Sequence, residues 1–444
     1  GAAIGIVGRA VGGGPQSGAL RDGLTADGAT VARNGCGLRR STEREPATSP
    51  LLRSAAMGAV VDLEAIVVSV PAEGNAFTDT DTEDMLLVIV TDEDGRTGIG
   101  ECSCAPSVLK ALLEFPTEHF WANGIREHVI GKDPIEARAI YDTIYHSSFY
   151  HGRRGLMINA MSAVDIALHD LAGKQLGKPI WQLLGGARQQ GARPCVTVYP
   201  GDTRGKPTAE IMAMMSDMVE IARGQGFTAM KVPFVGFTEM PDRQVVDLLG
   251  AMRELVGDDI TLGIDPGYRW THWQEALWVL NRLDEHRIFF AEAPLRHDDI
   301  EGYRQLAARS PLLIGAAEFA TGRYEAREWL EIAKVPLLHC GVSRAGGFTE
   351  VTRISEMCEL AGAMLMPHSY ASAISDFANI HMQVASMQVP LIEFRTLEPV
   401  TSILRRELVS PAMPKIADGW IAAPTTPGLG VELNTELVER FRLS

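Results

Sequence analysis

Eight short apolar runs, separated by helix-length segments, constrain what this chain can fold into. They are PCVTVYP (194–200), TAMKVPF (228–234), TLGIDP (261–266), IFFAEAP (288–294), LLIGAAEF (312–319), VPLLHCG (335–341), AMLMPHS (363–369) and PLIEFRT (390–396). Runs this short and this apolar suit strands covered on both faces. Helix-length connections between them are what parallel strands require. Eight such units predict a parallel β/α barrel, whose C-terminal strand ends converge on one face and carry the active site.

The 444 residues exceed what one compact core usually holds, so a second unit is expected. VVDLEAIVVSVP (60–71) and DMLLVIVTDEDGRTGIGEC (84–102) read as antiparallel strands broken by a D-G turn, and helical segments follow. The expected organisation is an N-terminal extension (1–56), an α+β capping domain (57–190), the barrel (191–400) and a C-terminal segment (401–444) that packs back on the capping domain. Residues 1–56 are rich in Gly, Arg, Ser and Thr without apolar periodicity, and Met57 is the first methionine. They read as a disordered extension upstream of a start at Met57, with a transit peptide as the alternative. The glycine-rich GIVGRAVGGG (5–14) fits neither phosphate-loop spacing.

A formal charge of −15 argues against a nucleic-acid partner, which needs clustered Lys and Arg. No apolar run approaches the roughly 18 residues that cross a bilayer. The six cysteines are few and mostly far apart in a long chain, which does not resemble a disulfide framework, and a reducing cytoplasm is the expected setting. Cys102 and Cys104 form a C-x-C pair without further zinc ligands at suitable spacing, and they read as structural.

Polar residues stand at or near the ends of most of the eight runs: Lys231, Asp265, Glu292, Glu318, His368 and Glu393. One carboxylate at a strand end usually caps the next helix or meets an arginine. Three on successive strands would repel one another at one barrel mouth unless a cation neutralised them. Asp265, Glu292 and Glu318, with room for water and substrate, suit Mg²⁺, with Mn²⁺ also possible.

From residue 60 onward the chain resembles the enolase superfamily and, within it, the mandelate racemase subgroup. The resemblance is carried by GIGEC (98–102), SAVDIALHDLAGKQLGKPIWQLLGG (162–186), Asp265, the EAP at 292–294, Glu318, GVSRAGGFTE (341–350) and MPHS (366–369). It implies a modified TIM barrel, (β/α)₇β, under an α+β capping domain, with Mg²⁺ on Asp265, Glu292 and Glu318. The implied chemistry is removal of the proton α to a carboxylate, with the metal meeting the charge of the ene-diolate.

Two departures from the subgroup bear on the reaction. Its K-x-K motif reads Lys231-Val232-Pro233 here, so the second lysine base is replaced by proline. The Asp that partners the catalytic histidine is absent too, because His339-Cys340-Gly341 stands where Q-P-D is expected; His368 keeps the histidine. Racemisation needs proton-transfer groups on both faces of the α-carbon, whereas elimination can use one. The resemblance therefore implies a Mg²⁺-dependent hydro-lyase that dehydrates a sugar acid to a 2-keto-3-deoxy acid, with His368 as base and acid and Lys231 in electrostatic support. K-x-P sequences also occur in members similar to rhamnonate dehydratase. The alternatives are a racemase or epimerase, and a noncatalytic barrel that binds metal and acids. Arg269, Arg154 or its neighbour Arg153, and Glu393 are candidate substrate contacts. A homo-oligomer is expected from the resemblance alone. The capping loops around 75–83 and 103–108, where specificity would reside, carry no readable substrate code.

Overall fold

The computed structural model describes residues 58–72, 81–201, 203, 205–234, 240–394, 401–411 and 414–443. The expectations for residues 1–56, and most of the loop at 75–83, lie outside the described residues.

The first layer is an antiparallel meander of β1 (Val60–Pro71), β2 (Thr82–Asp92) and β3 (Thr97–Cys102). The turn between β2 and β3 closes on Asp92, whose carboxylate accepts from the backbone N–H of Asp94 (3.0 Å) and Arg96 (2.8 Å). Across this sheet lies the helix Leu156–Leu176, α1. It is apolar on every side, with 157–168 buried throughout, as expected of a helix enclosed between two layers. The other layer is the barrel helix Gly347–Ala361.

The glycines of GIGEC make this packing possible. A Cβ at Gly98 would lie 2.2 Å from the Ala167 carbonyl oxygen, and one at Gly100 would lie 2.0 Å from that of Ala163. Strand β3 therefore sits directly on the α1 backbone.

The barrel strands are β4 (Pro194–Thr197), β5 (Ala229–Pro233), β6 (Thr261–Asp265), β7 (Ile288–Glu292), β8 (Leu313–Ala316), β9 (Leu337–Leu338), β10 (Met364–Leu365) and β11 (Ile392–Phe394). Each falls within one of the eight apolar runs. Neighbouring strands pair in parallel from β4 to β10, and β11 pairs with β4. Backbone bonds from Glu393 N to Pro367 O (3.2 Å) and from Leu365 N to Gln388 O (2.8 Å) join the chain around β10 to that around β11, which closes the cylinder. A helical segment follows each of the first seven strands, the fifth of them turning from the α-helix Arg323–Glu328 into the π-helical turn Trp329–Ala333. The fold is thus a (β/α)₇β barrel with an α+β cap.

The cap is tied to the barrel by a buried carboxylate. Glu101, on β3, accepts hydrogen bonds from Ser372 N (3.1 Å) and Ser375 N (2.7 Å) at the start of the barrel helix Ala373–Ala385. Burial pushes the Glu101 carboxyl up to about 7, against the opposing pull of these hydrogen bonds. At the other end of the chain, Leu443 N donates to Val67 O (2.8 Å) on β1 and Leu429 N to Asp170 Oδ1 (2.8 Å) on α1.

Two outcomes follow from this packing. Gly100→Ala, which forces β3 off α1, should destabilise the protein by about 3 kcal/mol or prevent folding, read by thermal melting. The raised native pKa of Glu101 means that the folded chain holds this proton more tightly than the unfolded chain, whose carboxyl has the ordinary value of 4.5. Its contribution is therefore complete below 4.5 and is lost as pH rises through about 7. In Glu101→Gln the fall in stability across that window should flatten, measured by urea unfolding at successive pH values.

Candidate active site

Six inward-facing apolar side chains, Cys195, Ala229, Phe290, Leu337, Met366 and Leu391, pack into a cluster inside the barrel. Side chains alternate along a strand, so the residue two positions further on faces the same interior one step nearer the mouth. Those positions hold Lys231, Glu292, His339, His368 and Glu393 above five of the six. Asp265 follows Gly263, where a Cβ would lie 2.2 Å from the Phe290 ring; the glycine leaves room for that phenylalanine. The charged site thus stands on an apolar floor.

Glu318 reaches the same place by a distorted path. Its predecessor Ala317 has φ 75°, and Tyr268 (φ 61°) and Ala293 (φ 45°) adopt the same left-handed conformation beside Asp265 and Glu292. Such backbone strain in non-glycine residues gathers where function dictates geometry. Backbone bonds from Tyr268 N to Ala293 O (2.7 Å) and from Ala293 N to Gly315 O (2.9 Å) hold these turns against the strand ends.

Lys231 lies at the centre of the site and is almost fully buried. Its Nζ stands 2.6 Å from Glu292 Oε2, 2.6 Å from Glu393 Oε1 and 3.2 Å from Asp265 Oδ2. Burial alone would favour the neutral amine, but the charges of Glu292, Glu393 and Asp265 overcome it and hold the lysine pKa well above its usual value. Lys231 is a fixed ammonium. Burial, with mutual carboxylate repulsion, pushes Glu292 and Asp265 upward despite the lysine.

His368 Nε2 lies 3.0 Å from Glu318 Oε2 and 3.5 Å from Glu393 Oε2. Burial works to raise the Glu318 carboxyl, but the bonds from His368 and from the Tyr268 hydroxyl prevail and hold it far below the usual range. Glu393 also accepts from Ser369 N (2.8 Å), which orients it. No side chain could occupy position 341, since a Cβ there would fall 2.4 Å from the His368 carbonyl oxygen. The carboxylates near His368 come instead from Glu318 and Glu393.

The structure brings Lys231, Asp265, Glu292, Glu318, His368 and Glu393 into one network. The arginines are engaged elsewhere. Arg269 pairs with Asp242 (2.9 Å), and the exposed Arg154 pairs with Glu328 (3.3 Å). Tyr268 and His339 escaped the sequence reading. Tyr268 sits in the same DPGYRW stretch as Arg269, but only its left-handed backbone turns its hydroxyl onto Glu318. His339 is fully buried, with Nδ1 3.2 Å from Glu292 Oε1, and burial holds it down at about 3, so it stays neutral. An alternation count from Leu337 would have flagged it.

For a divalent cation, the spacing and the chemistry of this donor set point in different directions. Among the described residues, no three His, Cys, Asp or Glu side chains are gathered closely enough to form a ready metal cluster. The chemistry of the set nevertheless fits one. Four carboxylates face one ammonium, and among the described residues no hydrogen bond reaches the buried Glu292 Oε1, since His339 Nδ1 lies 3.2 Å away without the geometry of one. Hard oxygen donors in negative excess suit a hard dication.

Residues 61–185 match the family described as "Mandelate racemase / muconate lactonizing enzyme, N-terminal domain", and residues 213–437 match "Enolase C-terminal domain-like". The D-galactarolactone cycloisomerase of Agrobacterium fabrum is 28% identical over 81% of this chain and 91% of its own length. The arabinonate dehydratase of Saccharolobus solfataricus is 29% identical over 79% of this chain and 88% of its own. A crystal structure provisionally described as a racemase shares 35% identity with a TM-score of 0.80, covering 87% of this chain and 98% of that one. A racemase from Streptomyces coelicolor A3(2) with bound magnesium, 21% identical with a TM-score of 0.73 over 86% of this chain and 100% of its own, shares the fold. The relatives include both acid-sugar dehydratases and isomerases, so the likeness supports lyase-type chemistry in general. Two matched domains, together spanning most of the chain, make it a member of the enolase superfamily, in its mandelate racemase/muconate lactonizing enzyme subgroup.

Proposed function

We propose that the protein is a Mg²⁺-dependent hydro-lyase that converts a sugar acid to a 2-keto-3-deoxy acid. One observation carries this reading: Lys231 is locked by three carboxylates, while His368, among the described residues, is the imidazole set against both Glu318 and Glu393. Pro233, where the subgroup's second lysine would stand, offers no replacement. His339 is neutral and fully buried.

Asp265, Glu292 and Glu318 would hold Mg²⁺, which supplies positive charge against the substrate carboxylate as its α-proton leaves. His368 takes that proton, and the resulting imidazolium returns it to the departing 3-hydroxyl, so that water is lost and the enol becomes the ketone. Lys231 fixes the orientation of Glu292 and Glu393 while adding its charge to the site. Glu393, set by Ser369 N, supports the imidazolium. Free thiols at all five described cysteines support a reducing cytoplasm as the setting, and no described helix is long and apolar enough to cross a membrane. A homo-oligomer belongs to the same reading.

Calorimetric titration with Mg²⁺ should show one site per chain, with affinity reduced more than about tenfold in Glu292→Gln; equal binding by the variant would remove the metal assignment. A panel of aldonic and aldaric acids, assayed for 2-keto acid, should yield at least one substrate. On it His368→Asn should lose about 10²–10⁴ in kcat, the usual contribution of a proton-transfer residue. Unchanged turnover would exclude His368 from that role, and deuterium entering from solvent without loss of water would point to an epimerase instead.

A further inference from the structure

Arg344 follows β9 at the seam between cap and barrel, where its carbonyl accepts from Asn159 Nδ2 of α1 (2.6 Å). Its half-buried guanidinium lies 5.2 Å from the centroid of the Phe319 ring and makes one long contact, 3.5 Å, from Nη1 to the Glu318 carbonyl oxygen. The Cys104 thiol, on the segment after β3, is a close neighbour of the guanidinium. Among the described residues, no carboxylate lies within ion-pairing distance of it.

The contrast with the other enclosed arginines is informative. Arg323, Arg353 and Arg405 each meet a carboxylate at 2.6–2.9 Å. Arg253, which lacks one, donates instead to the carbonyl oxygens of His286, Gly257, Ile260 and Arg287. A guanidinium presents five N–H donors, and one long carbonyl contact leaves most of them without a protein partner among the described residues. Arg344 is only partly buried, so these donors face the opening, where an anion can replace water.

The position of the unmet donors indicates which ligand. Phe319 is 48% exposed and stacks on Tyr268, whose hydroxyl bonds Glu318, so the guanidinium borders the open mouth beside the catalytic carboxylates. The guanidinium sits over the Phe319 ring at 5.2 Å, and its planar fork of donors suits two parallel bonds to a carboxylate. We propose that Arg344 receives a second, distal carboxylate of the substrate, so that the preferred substrate is a dicarboxylic sugar acid, an aldaric acid. This rests on the dehydratase reading above, in which the reacting carboxylate lies on the Asp265, Glu292 and Glu318 side and leaves Arg344 for the other end of the molecule. A hydroxyl there would satisfy donors without neutralising the charge. The field of Arg344 is felt across the seam: the Cys104 thiol is drawn down to about 6, chiefly by its hydrogen bond from Cys102, with burial opposing and Arg344 adding to the fall.

The test compares an aldaric acid with the aldonic acid of the same length and configuration, for the wild type, Arg344→Met and Arg344→Lys. The ratio of kcat/KM, aldaric over aldonic, should favour the aldaric acid in the wild type, fall about thirtyfold in Arg344→Met through KM, and recover in part in Arg344→Lys. An unchanged ratio, or equal losses on both acids, would overturn the proposal. Binding is read separately, by mass-spectrometric measurement of Cys104 alkylation with iodoacetamide. The aldaric acid should protect Cys104 in the wild type and fail to do so in Arg344→Met. If neither acid is turned over by the wild type, the dehydratase reading fails. Selective protection by the aldaric acid would then still support the Arg344 subsite, and its absence would overturn it.

Discussion

Everything at the mouth of this barrel depends on holding more negative charge than a protein interior tolerates. Two like charges about 4 Å apart repel by ~4 kcal/mol at an effective dielectric near 20, and here four carboxylates share one opening. The Lys231 ammonium, 2.6 Å from two of them and 3.2 Å from a third, offsets part of that repulsion. The remainder is what makes the site receptive to a dication. The same contacts set the division of labour, because a lysine bound this way is a fixed charge and cannot act as a base. In the proposed reaction, proton movement falls to His368.

Holding such a site in shape requires rigid supports on all sides. Below, the floor from Cys195 to Leu391 fills the barrel with apolar side chains and sets the height of the charged layer. Around it, the backbone bonds that continue past the strand ends complete the cylinder. Above, Tyr268, Ala293 and Ala317 accept left-handed conformations so that the carboxylate segments turn inward. Each of these three lies within three positions of a candidate metal ligand, so part of the chain's left-handed backbone serves to shape the mouth.

The barrel was largely legible in the sequence, because buried parallel strands write themselves as short apolar runs, and all eight runs contain a strand. The charged residues ending them were legible for the same reason: alternation forces a strand-end side chain either into the mouth or out of it. What surrounds those residues was not. The partners of His368 come from segments far apart in the chain, and Gly341, which reads as a missing carboxylate, proves to be a place where the His368 backbone leaves no room for one. Arg269 and Arg154 had the right chemistry but found carboxylates of their own. Tyr268 depends on a positive φ that nothing in its identity announces. Glu101 appeared only as part of a recognisable motif, since its contacts with Ser372 and Ser375 lie across the whole length of the chain.

That last contact bears on how such enzymes change specificity. Glu101 is anchored in the barrel, and the chain that follows it within three residues carries Cys104 to the mouth beside Arg344. The cap is consequently not an interchangeable lid. Its backbone enters the site at a height set by a barrel helix, and two glycines weld the same strand to α1. Substitutions beyond Glu101 would change the size and charge of this wall while the path of its backbone stays set by the barrel helix and α1. A transplanted cap would retain its alignment only if the seat for its glutamate travelled with it.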